Sequence, residues 1–116
     1  MPDPETVRYS LERVLTSPEL EPCPSLCRFL RHVVEETLAA RGGAIKEYTL
    51  GLEVFERGES FDPREDPIVR VQARNLRMRL TRYYEGPGAN DPVRIEVPKR
   101  TYVPVFEERQ RAMLMA

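Results

Sequence analysis

The 116-residue sequence is 41% hydrophobic and 32% charged, which fits one small globular domain and excludes a disordered tail. It has no apolar stretch long enough to span a membrane and no signal peptide pattern, so we expect a cytoplasmic protein. The formal net charge is −1, but residues 1–65 hold 13 acidic and 8 basic side chains, whereas residues 66–106 hold 4 acidic and 8 basic ones. Net charges of −5 and +4 on the two halves are typical of a protein that binds a polyanion with one face.

Two helices are predicted at the start of the chain. The first follows Asp3, a capping residue, and carries one apolar face as far as Leu15. A proline-rich linker over residues 18–24 separates it from a second helix over Ser25–Ala40. This second helix has the strongest amphipathic pattern of the sequence and therefore forms the centre of the expected core.

Shorter elements are predicted in the middle of the chain. We expect a very short strand at Ala44-Ile45 and a short helix over Thr49–Phe55, with Thr49 as its cap. The following stretch, residues 58–67, is rich in turn-forming residues. Phe61 is the exception in that stretch, and we expect it to anchor the turn in the core.

An arginine-rich helix is predicted over residues 67–84, beginning at Asp66-Pro67. One side carries an apolar stripe, namely Val69, Ala73, Leu76, Leu80 and Tyr83. The other sides carry arginines and amides, namely Arg70, Gln72, Arg74, Asn75, Arg77, Arg79 and Arg82. These side chains suit phosphates and base edges. The alternative is a solvated face whose arginines pair with acids such as Asp66, Glu85 and Glu96.

A β-hairpin is predicted after this helix. The alternating residues of Pro92–Val97 indicate a half-buried strand, and Tyr102–Phe106 is the expected return strand. The turn between them, residues 98–101, contains Lys99 and Arg100. Residues 107–116 form a tail, in which Met113 and Leu114 are candidates for docking onto the domain.

The residues most often used in chemistry are sparse. Cys23 and Cys27 are four residues apart, and His32 is the only histidine. Together these three side chains are one ligand short of a four-ligand zinc site. Reduced thiols at a helix start are the favoured interpretation. No set of nucleophile, base and oxyanion donors is evident, so we expect no enzyme activity, no cofactor, no metal and no small-molecule substrate.

Two segments carry a family resemblance. Residues 68–80, IVRVQARNLRMRL, resemble the recognition helix of OmpR/PhoB-type winged-helix domains, through Val69, Val71, Leu76, Arg77 and Leu80. Residues 97–102 resemble that family's wing, although Lys99 and Thr101 stand where the family has glycines. Three longer segments, residues 46–55, 61–80 and 93–106, most closely resemble the winged-helix domain at the N-termini of larger bacterial proteins. No receiver domain is present, so regulation by aspartyl phosphorylation is not carried over.

The resemblance implies a winged helix-turn-helix, a mainly α fold with a small β-hairpin and here an extra N-terminal helix. We divide the chain into an N-terminal helix and linker (residues 1–24), the winged helix-turn-helix domain (25–106) and a tail (107–116). The implied function is sequence-specific binding of double-stranded DNA by a small bacterial transcriptional regulator, with helix 67–84 in the major groove. The alternative is a protein-interaction adaptor that docks an acidic partner.

Each candidate residue has an expected role at the DNA. By the resemblance, the amides Gln72 and Asn75 read bases, and we assign the phosphates to the helix arginines, namely Arg70, Arg74, Arg77 and Arg79. Arg74 is also the one expected to reach a guanine. Lys99 and Arg100 would enter the adjacent minor groove or contact the backbone. Lys46 and Thr49 are further candidates for backbone contacts. Because one domain offers few base contacts, we expect a homodimer or tandem sites, with the first helix or residues 113–115 supplying the dimer contact.

Overall fold

The computed structural model describes residues 2–109, which form four α-helices and one antiparallel β-hairpin. The prediction of a mainly α fold with a small hairpin is therefore confirmed. In chain order the elements are α1 (Pro4–Leu15), α2 (Pro24–Leu38), a 3₁₀ turn (Gly42–Ala44), α3 (Glu47–Glu53), α4 (Ile68–Glu85), β1 (Val93–Glu96) and β2 (Val105–Glu108).

The helix α1 begins as predicted, because Asp3 Oδ2 accepts hydrogen bonds from the main-chain nitrogens of Glu5 (3.1 Å) and Thr6 (3.4 Å). Its apolar face packs against β1 and α2 and joins a single hydrophobic core. The fully buried residues of α2 lie at the centre of that core, namely Phe29, Leu30, Val33 and Val34. The N-terminal helix is thus part of the domain and not an appendage to it.

The predicted strand at Ala44-Ile45 is wrong. Residues Gly42–Ala44 form one 3₁₀ turn instead, and the nitrogen of Ile45 donates to the oxygen of Gly42 (3.1 Å). Two successive glycines favour a turn over a strand. Ile45 is still buried, so its apolar character was a signal for the core and not for pairing.

The short helix α3 begins at Glu47, two residues before the predicted start. Thr49 is its third residue and not its cap, and the Thr49 hydroxyl accepts a hydrogen bond from the nitrogen of Lys46 (3.2 Å). The expected anchor is confirmed, because Phe61 is buried against this helix. A Cβ atom on Gly51 would lie only 2.3 Å from the Phe61 ring, so the anchor requires glycine there.

The long helix α4 is confirmed, with its predicted apolar stripe buried throughout. Asp66 Oδ1 accepts a hydrogen bond from the nitrogen of Ile68 (3.2 Å), which satisfies one donor of the first turn. The helix ends at Glu85. Gly88 lies directly beneath the ring of Tyr83, so the chain can turn sharply there towards the hairpin.

The hairpin pairs β1 with β2 in antiparallel register, from Val93 opposite Glu108 to Glu96 opposite Val105. The return strand therefore begins three residues later than predicted and continues into the predicted tail. Pro104 has no N–H to donate to a ladder, which explains why pairing starts only after it. Residues 97–104 form the connection, which we call the hairpin turn.

A buried polar cluster joins α1, α4 and the hairpin. Asp91 is only 3% exposed and accepts hydrogen bonds from Arg13 Nε (2.7 Å) and from the hydroxyl of Tyr83. The hydroxyl of Tyr84 accepts a hydrogen bond from the nitrogen of Ile95 (2.8 Å). Burial raises the pKa of Tyr84 to about 12. These contacts fix the hairpin relative to α4.

Residues 110–116 lie outside the described part of the chain, and so does the predicted docking of Met113 and Leu114. Among residues 2–109, no helix combines the length and the apolar character that crossing a bilayer requires.

Candidate functional site

An open groove of about 610 Å³ lies between α4 and the hairpin turn. Five cationic side chains and one carboxylate line it, together with Thr101 and Tyr102; the charged residues are Arg70, Arg74, Arg77, Lys99, Arg100 and Glu47. Two elements that are distant in sequence thus direct positive charge into one concave surface. Such a surface attracts anions, because its cations add to a common potential.

The α4 side of the groove follows from helical spacing. Arg70, Arg74 and Arg77 are separated by four and three residues and therefore lie along one face. Arg70 Nη1 donates to Glu47 Oε2 (2.6 Å) and to the main-chain oxygen of Pro63 (2.9 Å), so part of its charge is compensated. Arg74 is exposed and makes no ion pair within residues 2–109.

The other side of the groove is the hairpin turn, where Lys99 and Arg100 are both exposed. Arg100 has a φ of 73°, in the left-handed region that L-residues other than glycine rarely adopt. Arg77 reaches across from α4 and donates three hydrogen bonds to main-chain oxygens of this turn: from Nε to Val97 (2.9 Å), and from Nη2 to Pro98 (3.1 Å) and Thr101 (2.9 Å).

The solvent-facing edge of α4 beside the groove is partly apolar. Val71 is 38% exposed and Met78 is 43% exposed, on the side of the helix opposite the core. Next to them Asn75 Nδ2 donates a hydrogen bond to Gln72 Oε1 (3.1 Å), so the two predicted base-reading amides form one pair. This edge offers amide groups and exposed methyl groups side by side.

The remaining predicted site residues lie outside the groove. Arg79 Nη1 donates to the main-chain oxygen of Glu19 (2.9 Å) in the linker between α1 and α2. Lys46 is exposed just before α3, and the hydroxyl of Thr49 donates to the oxygen of Ala44 (2.8 Å). The structure therefore brings Arg70, Arg74, Arg77, Lys99 and Arg100 together and leaves Arg79, Lys46 and Thr49 apart from them.

The three acids expected to pair with the arginines of a solvated helix face do not pair with them. Asp66 pairs with Arg57 (2.9 Å) and not with an arginine of α4. Within residues 2–109, neither Glu85 nor Glu96 forms an ion pair. The one acid that enters the groove is Glu47, which the sequence did not indicate because it precedes Arg70 by 23 residues.

Tyr102, the first residue of the predicted return strand, is a second lining residue that was not predicted for the site. Its ring packs 6.4 Å from that of Phe29, and burial raises the pKa of its hydroxyl. Tyr102 thus connects the lining of the groove to the core residue Phe29.

The cysteines and the histidine do not form a site with these residues. Both cysteines are free thiols, and burial raises the pKa of Cys27, whose Sγ lies 3.1 Å from the oxygen of Leu20. His32 is half-buried and lies 3.5 Å from Glu53. Within the described range, no three side chains of His, Cys, Asp or Glu are placed to hold a metal ion.

Comparison with known proteins adds no relative: no family model, no curated protein and no solved structure matches this chain. The resemblance to winged-helix domains therefore stays a prediction.

Proposed function

We propose that this protein is a winged helix-turn-helix domain that binds double-stranded DNA and acts as a small bacterial transcriptional regulator. In this proposal α4 enters the major groove of the DNA and the hairpin turn is the wing. Residues 98–101 would then contact the adjacent minor groove or the phosphate backbone.

The observation that carries the proposal is the convergence of five cations from α4 and the hairpin turn on one groove. A DNA strand places successive phosphates along a continuous line, and cations from two elements can follow that line. Four of the five are arginines, and two of these, Arg74 and Arg100, make no ion pair among residues 2–109. Their planar guanidinium groups can bind phosphate oxygens in a bidentate manner. The negative charge of residues 1–65 would help to orient this face towards a polyanion.

The exposed edge of α4 supplies what base reading needs. The amides of Asn75 and Gln72 can donate and accept along the edge of an adenine. Val71 and Met78 are exposed on the same side and suit the methyl group of thymine. Arg74 lies between this edge and the groove, which supports its assignment to a guanine or a phosphate.

The second candidate is an adaptor that docks an acidic protein. The same exposed apolar residues, Val71 and Met78, favour it, because apolar side chains ringed by arginines also suit a protein interface. An acidic segment would occupy the groove in place of the phosphates. Sequence preference separates the two candidates, since only base contacts produce it.

Homodimerisation stays part of the proposal, but fewer residues of α1 are free to form the dimer contact. The apolar face of α1 is used in the chain's own core, which leaves Tyr9 as its large exposed aromatic residue, at 57% exposure. The other predicted dimer contact, residues 113–115, lies outside the described residues. A dimer through α1 would therefore depend on Tyr9.

Selection from a random duplex library, followed by titration of the recovered sequence, tests the proposal. We expect a motif to emerge, and Asn75→Ala to weaken discrimination at one base pair by about 1–3 kcal/mol. Arg74→Ala should lower the affinity, whereas Arg8→Ala, a matched loss of charge on α1, should not. If no motif emerges and binding stays weak at low salt, the DNA proposal fails and the adaptor is favoured.

A further inference from the structure

Arg77 differs from the other groove arginines in the hydrogen-bond partners of its guanidinium group. Its three hydrogen bonds all end on main-chain oxygens of the hairpin turn, those of Val97, Pro98 and Thr101. The strand ladder ends at Glu96, so these oxygens have no partner in the ladder. Arg77 supplies the partners that the turn lacks.

The turn that Arg77 holds contains a strained residue. Arg100 adopts its positive φ between Pro98 and Thr101, two of the residues whose oxygens Arg77 binds. A strained main-chain conformation persists only where its surroundings determine it. The guanidinium of Arg77 fixes the turn on both sides of Arg100 and therefore fixes the direction in which Arg100 points.

We infer that Arg77 is a positioning residue that sets the hairpin turn against α4, and not a phosphate contact as its sequence position suggests. It would hold Lys99 and Arg100 across the groove from Arg70 and Arg74 before any DNA arrives. Preorganisation of this kind raises affinity because the turn loses less conformational freedom on binding. The expected effect on DNA affinity rests on the proposed function, whereas the contact between Arg77 and the hairpin turn does not.

The shape of the side chain separates the two roles. Lysine keeps the charge that a phosphate needs, but its compact ammonium cannot span three oxygens as the guanidinium fork does. Arg77→Lys should therefore behave like the parent if Arg77 binds phosphate. If Arg77 positions the turn, Arg77→Lys should instead behave like a variant that lacks the guanidinium altogether. Arg77→Met removes the hydrogen-bond donors but keeps an apolar chain in place of the half-buried stem. The packing of α4, and with it the fold, should therefore be retained.

The first experiment uses the free protein. Backbone ¹⁵N order parameters of residues 99–101 would be compared in the parent, in Arg77→Lys and in Arg77→Met. We expect a fall from a rigid value of about 0.85 towards less than about 0.6 in both variants. Arg82→Ala, which removes an exposed arginine of α4 that does not line the groove, is the matched control and should leave the turn ordered. Unchanged order in both Arg77 variants would overturn the inference.

The second experiment measures binding to the selected duplex. Lys99→Ala with Arg100→Ala removes two cations and should lower the magnitude of the salt slope by about 1.8. Adding Arg77→Met to that pair should change Kd by less than about twofold, since nothing is left to position. Two results would identify a direct phosphate contact instead. One is that Arg77→Lys binds the duplex with the affinity of the parent. The other is that Arg77→Met lowers the affinity equally in the parent and in the variant that lacks Lys99 and Arg100. If the parent binds no duplex, the proposed function fails, and the order parameters alone decide the role of Arg77.

Discussion

Arg100→Gly should stabilise the protein while weakening the proposed binding to DNA. A left-handed conformation costs a residue other than glycine about 1–2 kcal/mol, and glycine removes that cost. The greater freedom of glycine in the unfolded chain returns about 0.4–1 kcal/mol of it. The net gain in the free energy of unfolding should thus be about 0.5–1 kcal/mol. The loss of one phosphate contact should reduce the magnitude of the salt slope by about 0.9.

Urea denaturation of the parent and the variants measures the first quantity, and duplex titration at several salt concentrations measures the second. Lys99→Gly is the matched control, because Lys99 has no positive φ to relieve and glycine there should destabilise. Arg100→Asn removes the same charge and tolerates the left-handed region. If Arg100→Gly destabilises the protein as much as Lys99→Gly does, the strain at this turn is not real.

Three further predictions concern the scaffold. Asp91→Asn should lower the free energy of unfolding by about 1–3 kcal/mol in chemical denaturation, because a buried carboxylate loses its charge-assisted hydrogen bonds. For Tyr84, whose folded pKa of about 12 lies above the unfolded value near 10, stability should be full below pH 10 and fall as the pH rises towards 12. Tyr84→Phe should reduce that fall in a pH series without abolishing it, because burial raises the pKa of Tyr83 as well. Gly51→Ala should destabilise by about 1–3 kcal/mol through its clash with Phe61, although alanine favours a helix, whereas Gly43→Ala meets no atom within 4 Å and should not lower the melting temperature.

Local patterns were sufficient to predict the helices. The 3.6-residue spacing of apolar residues in α1, α2 and α4 identifies most of the residues that the structure buries in these helices, whereas Ser10 and Tyr84 are buried outside the pattern. Element ends were harder, because they depend on tertiary contacts. The start of β2 at Val105 is an example: Tyr102 and Val103 have the β-forming character of a strand, but they lie in the hairpin turn that Arg77 organises.

The sequence was sufficient to predict which charged residues lie together at the candidate site, but not which contacts each of them makes within the protein. A helical wheel places Arg70, Arg74 and Arg77 on one face, and the groove contains all three. The wheel cannot show that Arg77 ends on main-chain oxygens 20 to 24 residues away, nor that Glu47 compensates Arg70. Both contacts depend on how α3 and the hairpin pack on α4, which no local pattern encodes.

The number of cations left for a ligand limits what one domain can do. Arg77 is committed to the hairpin turn and Arg70 shares its charge with Glu47, which leaves Arg74, Lys99 and Arg100. Three phosphate contacts correspond to a salt slope of about −2.7 and to a loss of about 40-fold in affinity between 50 and 200 mM salt. A slope near −3 would therefore indicate a single domain that depends on base contacts along α4, and a slope near −5 or steeper would indicate two copies on one site. A slope near −1 would mean that the groove does not lie on the phosphate backbone, which would contradict the proposed orientation.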